Sequence, residues 1–288
     1  MKKFDFAIVG GDKRTAYMAA LLSKRGYRII CFGTVEPPAD NKIDTASTLQ
    51  EAITNAPVIV CGVPFQKNGC LYFEKQISPI PLTELQRILK KHQTIFSGGI
   101  PEDFKTLCEN QKVSCYDFLQ EEPLTIMNAV ATAEGAILEA LLHKDTLLHG
   151  SKTLVLGYGR CGKVLADKLK GLSAQVTVCT EQAQELAYAF SLGFHTLALS
   201  ELPKSIDHFE YVFNTIPTMV LTSPCLEKMQ PDSLIIDIAS NRVGVDYKAA
   251  DSLQRAAFFC PGLPGKYASL SCAEQLVTFV LKNSKISE

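Results

Sequence analysis

Short apolar runs at residues 4–9, 28–32, 58–61, 94–96 and 113–116 read as buried strands, and helical apolar spacing at 15–25, 82–91 and 103–110 falls between them. Strands alternating with helices call for a parallel sheet with right-handed crossovers, so residues 1–124 are expected to form a small flavodoxin-like α/β domain. Glu36-Pro37-Pro38 reads as a loop, and the Gly-, Pro- and polar-rich stretch 66–81 as an excursion from the sheet. After a hinge at Glu121-Glu122-Pro123, residues 125–143 predict one long helix, with Ile126, Ala129, Val130, Ala133, Ile137, Leu138, Leu141 and Leu142 as its apolar positions. This helix and its tail, 125–150, connect to a second set of strands at 153–156, 175–179, 195–198, 211–213, 233–238 and 256–260. Six strands separated by helices predict a doubly wound Rossmann domain over 151–270, and the amphipathic segment 271–284 is expected to return to the first domain. The fold class expected is therefore α/β, with two doubly wound domains joined by long connecting helices.

The chemistry concentrates at the first turn of the second domain. Leu154-Val155-Leu156 runs into Gly157-Tyr158-Gly159-Arg160-Cys161-Gly162, and a helical pattern at Val164, Leu165 and Leu169 follows. A G-x-G-x-x-G between a strand and a helix is the context that a dinucleotide needs. The first glycine allows the tight turn, the second lets backbone approach a pyrophosphate, and the third lets the helix lie close to the strand. Three further strand ends carry polar or Gly/Pro-rich loops: Asn214-Thr215-Ile216-Pro217, Asp237-Ile238-Ala239-Ser240-Asn241-Arg242, and Pro261-Gly262-Leu263-Pro264-Gly265. In an open α/β sheet, ligands gather at such ends. The tip of the second strand reads Val178-Cys179-Thr180-Glu181, and Cys179 and Thr180 occupy the position that reads the adenosine ribose. The expected cofactor contacts are thus residues 157–162, Thr180, Asn214, Thr215, Ile216, Pro217, Asp237 and Ala239.

Outside that corner, Gly10-Gly11-Asp12-Lys13-Arg14 resembles a nucleotide turn without its full spacing. Anion capture by helix-start N–H groups with Arg14 or Lys13 is one interpretation, and a solvated helix start at Lys13 and Arg14 is the other. On the long helix, Asn128, Thr132 and Glu134 are the polar members; if they face a cleft, Glu134 is a candidate general base.

Composition narrows the class further. With 47% hydrophobic and 20% charged residues the chain is globular, and a net charge of −1 points to neither a nucleic-acid nor a membrane surface. No uninterrupted apolar run reaches the roughly 18 residues of a spanning helix, and no secretory segment is seen. The ten cysteines are scattered without a C-x-x-C, and the five histidines lack metal-ligand spacing, so no metal site and a reducing, cytoplasmic setting are expected.

Several of these motifs occur together in one family. Residues 149–162, Asn214-Thr215-Ile216-Pro217-Thr218, Asp237-Ile238-Ala239-Ser240, Pro261–Gly265, Ile8-Val9-Gly10-Gly11-Asp12 and Ala133-Glu134-Gly135 resemble the dipicolinate synthase A subunit, within the wider set of D-2-hydroxyacid and alanine dehydrogenases. The resemblance implies oxidation of dihydrodipicolinate, or its 4-hydroxytetrahydro form from the lysine pathway, to pyridine-2,6-dicarboxylate in endospore-forming bacteria. It also implies NADP, a homodimer and a flavoprotein-like B subunit. The hydroxyacid dehydrogenases carry a catalytic Arg after the fifth strand and a His after the sixth. Here the first place reads Ala239-Ser240-Asn241 with Arg242 displaced, and the second reads Gly262-Leu263, so their carbonyl chemistry is not expected. Residues 266–269, Lys-Tyr-Ala-Ser, also depart from the family's apolar stretch. Glu134, Ser240 and Arg242 are then the catalytic candidates, and Arg14, Asn128 and Thr132 the substrate contacts, with Arg14 and Arg242 on the two carboxylates. Thr180 and Arg160 suit a 2′-phosphate, while Glu181 would repel it or bind ribose, so NAD stays open beside NADP. The alternatives are an amino- or hydroxyacid dehydrogenase and a non-catalytic, dinucleotide-binding regulatory subunit.

Overall fold

A computed structural model describes residues 4–35, 43–284 and 286; the loop expected at Glu36-Pro37-Pro38 lies outside the described residues. The chain divides into two compact units, Met1–Thr125 with Ala268–Glu288, and Ile126–Tyr267.

The first unit holds β1 (Phe6–Val9), β2 (Ile29–Phe32), β3 (Ile43–Thr45), β4 (Val58–Cys61), a hairpin of β5 (Gln66–Lys67) and β6 (Cys70–Leu71), β7 (Thr94–Ser97) and β8 (Ser114–Asp117). Its sheet is parallel, in the order β3-β2-β1-β4-β7-β8. The five strands expected from sequence do stand in the flavodoxin order. The sixth, the short edge strand Ile43-Asp44-Thr45, extends the sheet to the Rossmann order 3-2-1-4-5-6. β1 and β4 are apolar at every position because both sheet faces are covered. Phe104, Leu85 and Ile53 pack on one face with Ile59 and Ile95. On the other, Met18 and Leu22 of the helix Lys13–Lys24 pack with Ala273, Leu276, Val277 and Val280 of the C-terminal helix Ser269–Asn283.

The second unit repeats the architecture with β9 (Lys152–Leu156), β10 (Gln175–Thr180), β11 (His195–Ala198), β12 (Tyr211–Asn214), β13 (Leu234–Asp237) and β14 (Ala256–Phe259). These are parallel, in the order β11-β10-β9-β12-β13-β14. The helices Arg160–Gly171 and Ala183–Ser191 pack on one face, joined there by Ala133, Ala136 and Ala140 of the long helix Glu122–His143. Among the described residues this long helix alone has the length and apolar composition to cross a membrane, a match that the count of uninterrupted apolar residues does not register. Its alanine face belongs to the core of the second unit. Burial makes the cysteines behave as small hydrophobes: it pushes the Cys31, Cys61 and Cys179 thiols up to about 12.

Lys266 and Tyr267 have a visible role. The buried Glu139 carboxylate accepts from Lys266 Nζ at 2.6 Å and from Tyr267 Oη at 2.8 Å, with His143 Nε2 3.5 Å away. The crossing is close because residue 135 is glycine; a Cβ there would lie 2.8 Å from that of Leu263. Burial disfavours the Glu139 carboxylate, but the two hydrogen bonds and the Lys266 charge outweigh it and hold its carboxyl below the ordinary value. A depressed folded-state pKa contributes stability above the unfolded value, about 4.3, which is lost as pH falls through the lower folded value. Glu139→Gln is therefore expected to cost about 1–3 kcal/mol at pH 7 and to flatten the acid limb of stability against pH. Denaturant unfolding at pH 7 and at pH 3 to 4 measures both; equal stability of the two proteins at pH 7 would refute this role.

Candidate dinucleotide site

β9 is the central strand of the second sheet, and the chain turns sharply at its C-terminal end. Gly157 has φ +89°, a conformation that side chains resist, and its N–H donates to Cys179 O at 2.8 Å. A Cβ on Gly157 would strike Thr215 Oγ1, whose hydroxyl donates to Leu156 O at 2.8 Å. A Cβ on Gly162 would enter the carbonyl of Gly157, so the helix rests directly on the turn. Gly159 is different. Its φ of −70° suits any residue, and a Cβ there would meet nothing within 4 Å. Packing within the chain does not require glycine at 159, whereas close approach of a ligand would. Gly159, at the N-cap, supplies no side-chain cap, and the first internal bond of this helix runs from Lys163 N–H to Gly159 O at 2.9 Å. The end thus keeps the donor character and positive dipole that suit a diphosphate.

The corresponding turn in the first unit has been filled by its own chain. Gly10 and Gly11 also have positive φ, +60° and +80°. There, however, Gly11 N–H donates to Tyr72 O at 2.8 Å, Glu74 N–H donates to Gly11 O at 3.0 Å, and the Phe73 ring lies 2.9 Å from where a Gly10 Cβ would be. The helix start is capped as well. Arg14 N–H donates to Asp12 Oδ1 at 2.9 Å, and the buried guanidinium donates to the same carboxylate through Nε at 3.0 Å and Nη2 at 2.7 Å, and to the Val63 carbonyl. The expectation of Arg14 as an anion-capturing residue is corrected accordingly: its charge is neutralised two residues away, a pairing made possible by the turn.

At the neighbouring strand ends the polar residues are joined in one network. Asn214 Nδ2 donates to Asp237 Oδ1 at 2.9 Å and to Ile216 O at 3.1 Å, while Asn214 Oδ1 accepts from Ile216 N–H at 3.0 Å. Asp237 Oδ1 also accepts from Ala239 N–H at 3.1 Å, and Oδ2 accepts from Tyr247 Oη at 2.7 Å. Asn214 and Asp237 are both 0% exposed, so they shape the loops and do not offer atoms to a bound molecule. Ala239 is buried with them. The surface facing out of this corner comes from Gly159, Arg160, Pro217, Ser240 and Arg242, with Thr215 and Ile216 half-buried beside them.

Other expected contacts are placed elsewhere. The Tyr158 side chain is in the core, with its ring near those of Tyr188 and Phe194, so only its backbone belongs to the turn. Cys161 is half-buried. Thr180 is buried, and its hydroxyl donates to Glu185 Oε2 at 2.7 Å. Thr132 spends its hydroxyl on Asn128 O at 2.8 Å. Asn128 is half-buried on the same helix. Glu134 is an exposed carboxylate paired with Lys168 Nζ at 2.9 Å, the environment of a surface ion pair rather than of a base tuned by burial. Two features went unread in the sequence. One is Tyr247, ten residues beyond Asp237. The other is a recess of about 570 Å³ lined by Lys163, Gln184, Glu185 and Tyr188. Neither carries a spacing signal, because both arise where separate loops and helices meet.

Residues 5–119 match the family described as the N-terminal domain of the dipicolinate synthase A subunit. The chain is 34% identical over 194 residues to the dipicolinate synthase A subunit of Bacillus subtilis, a match covering 66% of this chain and 64% of that protein. Among solved structures, the dipicolinate synthase A subunit from Bacillus halodurans superposes with a TM-score of 0.85 at 24% identity, covering 100% of both chains. The A chain of dipicolinate synthase from Bacillus subtilis gives 0.82 at 26%, covering 98% of this chain and 96% of that one. Over the first unit by its family match, and over most of its length by the Bacillus subtilis relative, the chain is similar to dipicolinate synthase A subunits, and it shares their fold.

Proposed function

We propose that the protein oxidises dihydrodipicolinate, or its 4-hydroxytetrahydro form after loss of water, to pyridine-2,6-dicarboxylate, with NADP as acceptor and for endospore formation. The observation that carries this reading is Gly159, a glycine that the chain's own packing does not need, at the N-cap of a helix to which it gives no side-chain cap. The residues fit a dinucleotide: the turn at 157–162 would hold the diphosphate, and Thr215, Ile216 and Pro217 would border the nicotinamide side. When bound, the nicotinamide supplies the hydride acceptor.

The chain's own part is to bind and orient. Arg242 and Ser240 stand exposed at the end of β13, where Arg242 would hold a carboxylate of the flat diacid and Ser240 would hydrogen-bond its edge. Aromatisation releases two electrons with one hydride and sends one proton to solvent or to a nearby acceptor. Its driving force lessens the need for a strong acid/base pair, consistent with Gly262-Leu263 in place of a histidine. The ion-paired state of Glu134 favours a second reading, in which the chain binds dinucleotide but turns over only with its B-subunit partner.

Arg160 and Lys163 favour a 2′-phosphate beside Thr180, and the carboxylate of Glu185 on the Thr180 hydroxyl opposes it. Mixing the purified chain with dihydrodipicolinate and either NADP or NAD, with and without the B subunit, tests all three points through the pyridine-dicarboxylate absorbance. Product from the chain alone with the lower KM for NADP is expected. Product only with the B subunit supports the regulatory reading, and no product in any arm overturns the function.

A further inference from the structure

We propose that Tyr247 is a positioning residue that aims Arg242 at a carboxylate of the bound diacid. The inference rests on the function proposed above and adds to it the group that orients the substrate-binding arginine.

An exposed arginine ordinarily samples many rotamers, and ordering it costs affinity. Arg242 is exposed yet constrained from two directions. Its backbone sits at the centre of a tight turn closed by Val243 N–H to Asn241 O at 2.9 Å. That turn is pinned at its end, where Gly244 O accepts from Val220 and Leu221 N–H, each at 3.0 Å. A Cβ at Gly244 would strike the Asn214 amide, so the loop is pressed onto the buried network. The side chain, in turn, lies over the Tyr247 ring, with the guanidinium carbon 4.3 Å from the ring centroid.

The ring itself is held by the donation of its hydroxyl to Asp237 Oδ2 at 2.7 Å, and Asp237 is fixed at the end of β13 by Asn214 and Ala239. Burial, followed by the hydrogen bond to Asp237, pushes the Tyr247 hydroxyl far above its ordinary range, so it stays a donor across the working pH range. A stacked guanidinium uses its face on the ring and leaves its edge N–H groups for a two-pronged grip on a carboxylate. Among the described residues, no carboxylate of the chain pairs with Arg242, so that edge is available.

The experiment is calorimetric titration of the full chain, saturated with NADP, with pyridine-2,6-dicarboxylate, using Arg242→Met, Tyr247→Leu, Tyr247→Phe and the Arg242→Met/Tyr247→Leu double variant. Tyr247→Leu is expected to weaken diacid binding about tenfold with unchanged NADP affinity. Tyr247→Phe, which keeps the ring under Arg242 but loses the bond to Asp237, should recover part of the loss. In the Arg242→Met background, Tyr247→Leu should have no further effect, the non-additivity that marks one unit. Additive losses, or equal losses of diacid and NADP binding, would make Tyr247 a general structural residue and overturn the proposal. Wild-type protein that binds NADP but gives no heat with the diacid overturns the proposed function itself. Wild-type binding with indifferent Tyr247 variants overturns the positioning role alone.

Discussion

Gly162→Ala should weaken dinucleotide binding, with affinity for either pyridine nucleotide reduced by a factor on the order of 100 or more, about 2.7 kcal/mol. The added methyl would enter the carbonyl of Gly157, which is backbone in a strained turn and has no rotamer to give way. The helix Arg160–Gly171 must then lift from the strand, and its N–H groups leave the diphosphate position. Because a lifted helix also loses packing, Gly159→Ala is the decisive companion. Its methyl meets nothing in the chain, so unfolding free energy should change by less than about 0.5 kcal/mol. Affinity should nevertheless fall by about tenfold, because the methyl occupies space next to the diphosphate. Calorimetric titration paired with denaturant unfolding separates the two effects. Wild-type affinity in Gly159→Ala would remove the ligand from this turn.

Asp237→Ala should strongly destabilise the second unit. It leaves three donors without their acceptor: Asn214 Nδ2, Ala239 N–H and Tyr247 Oη. Each buried unsatisfied group costs about 1–3 kcal/mol, so a total on the order of 3–5 kcal/mol is expected after partial relaxation. That is a large share of a domain's stability. Since the chain has two units, the loss should appear in one unfolding transition and spare the other. A loss below about 1 kcal/mol would mean that the network is not holding the loops.

Much of this molecule could be read from residue order, for physical reasons. Strands such as Phe6–Val9 and Val58–Cys61 are apolar throughout because both of their faces are covered, and such runs are hard to mistake. The turn at Gly157, Gly159 and Gly162 was legible because each glycine answers a separate steric demand. The edge strand Ile43–Thr45 was not legible, since half-exposed Ile-Asp-Thr has neither an apolar run nor a clean alternation. Site chemistry was less legible still. Arg14, Thr180 and Glu134 have suitable side chains at suitable places, yet each is committed to a partner, Asp12, Glu185 or Lys168, that proximity in the fold decides. Asn214 and Asp237 were found as a cluster, but their burial assigns them to support rather than to contact. Tyr247 carries no motif, and its importance lies entirely in what it touches.

The filled turn of the first unit bears on stoichiometry. Two sheets of identical strand order each end their central strand in a glycine turn, but in one of them a peptide carbonyl, that of Tyr72, already receives the N–H that a phosphate oxygen would otherwise accept. A loop of the polypeptide thus acts as a permanent, covalently attached ligand mimic. Each chain should therefore take up one equivalent of nucleotide rather than two.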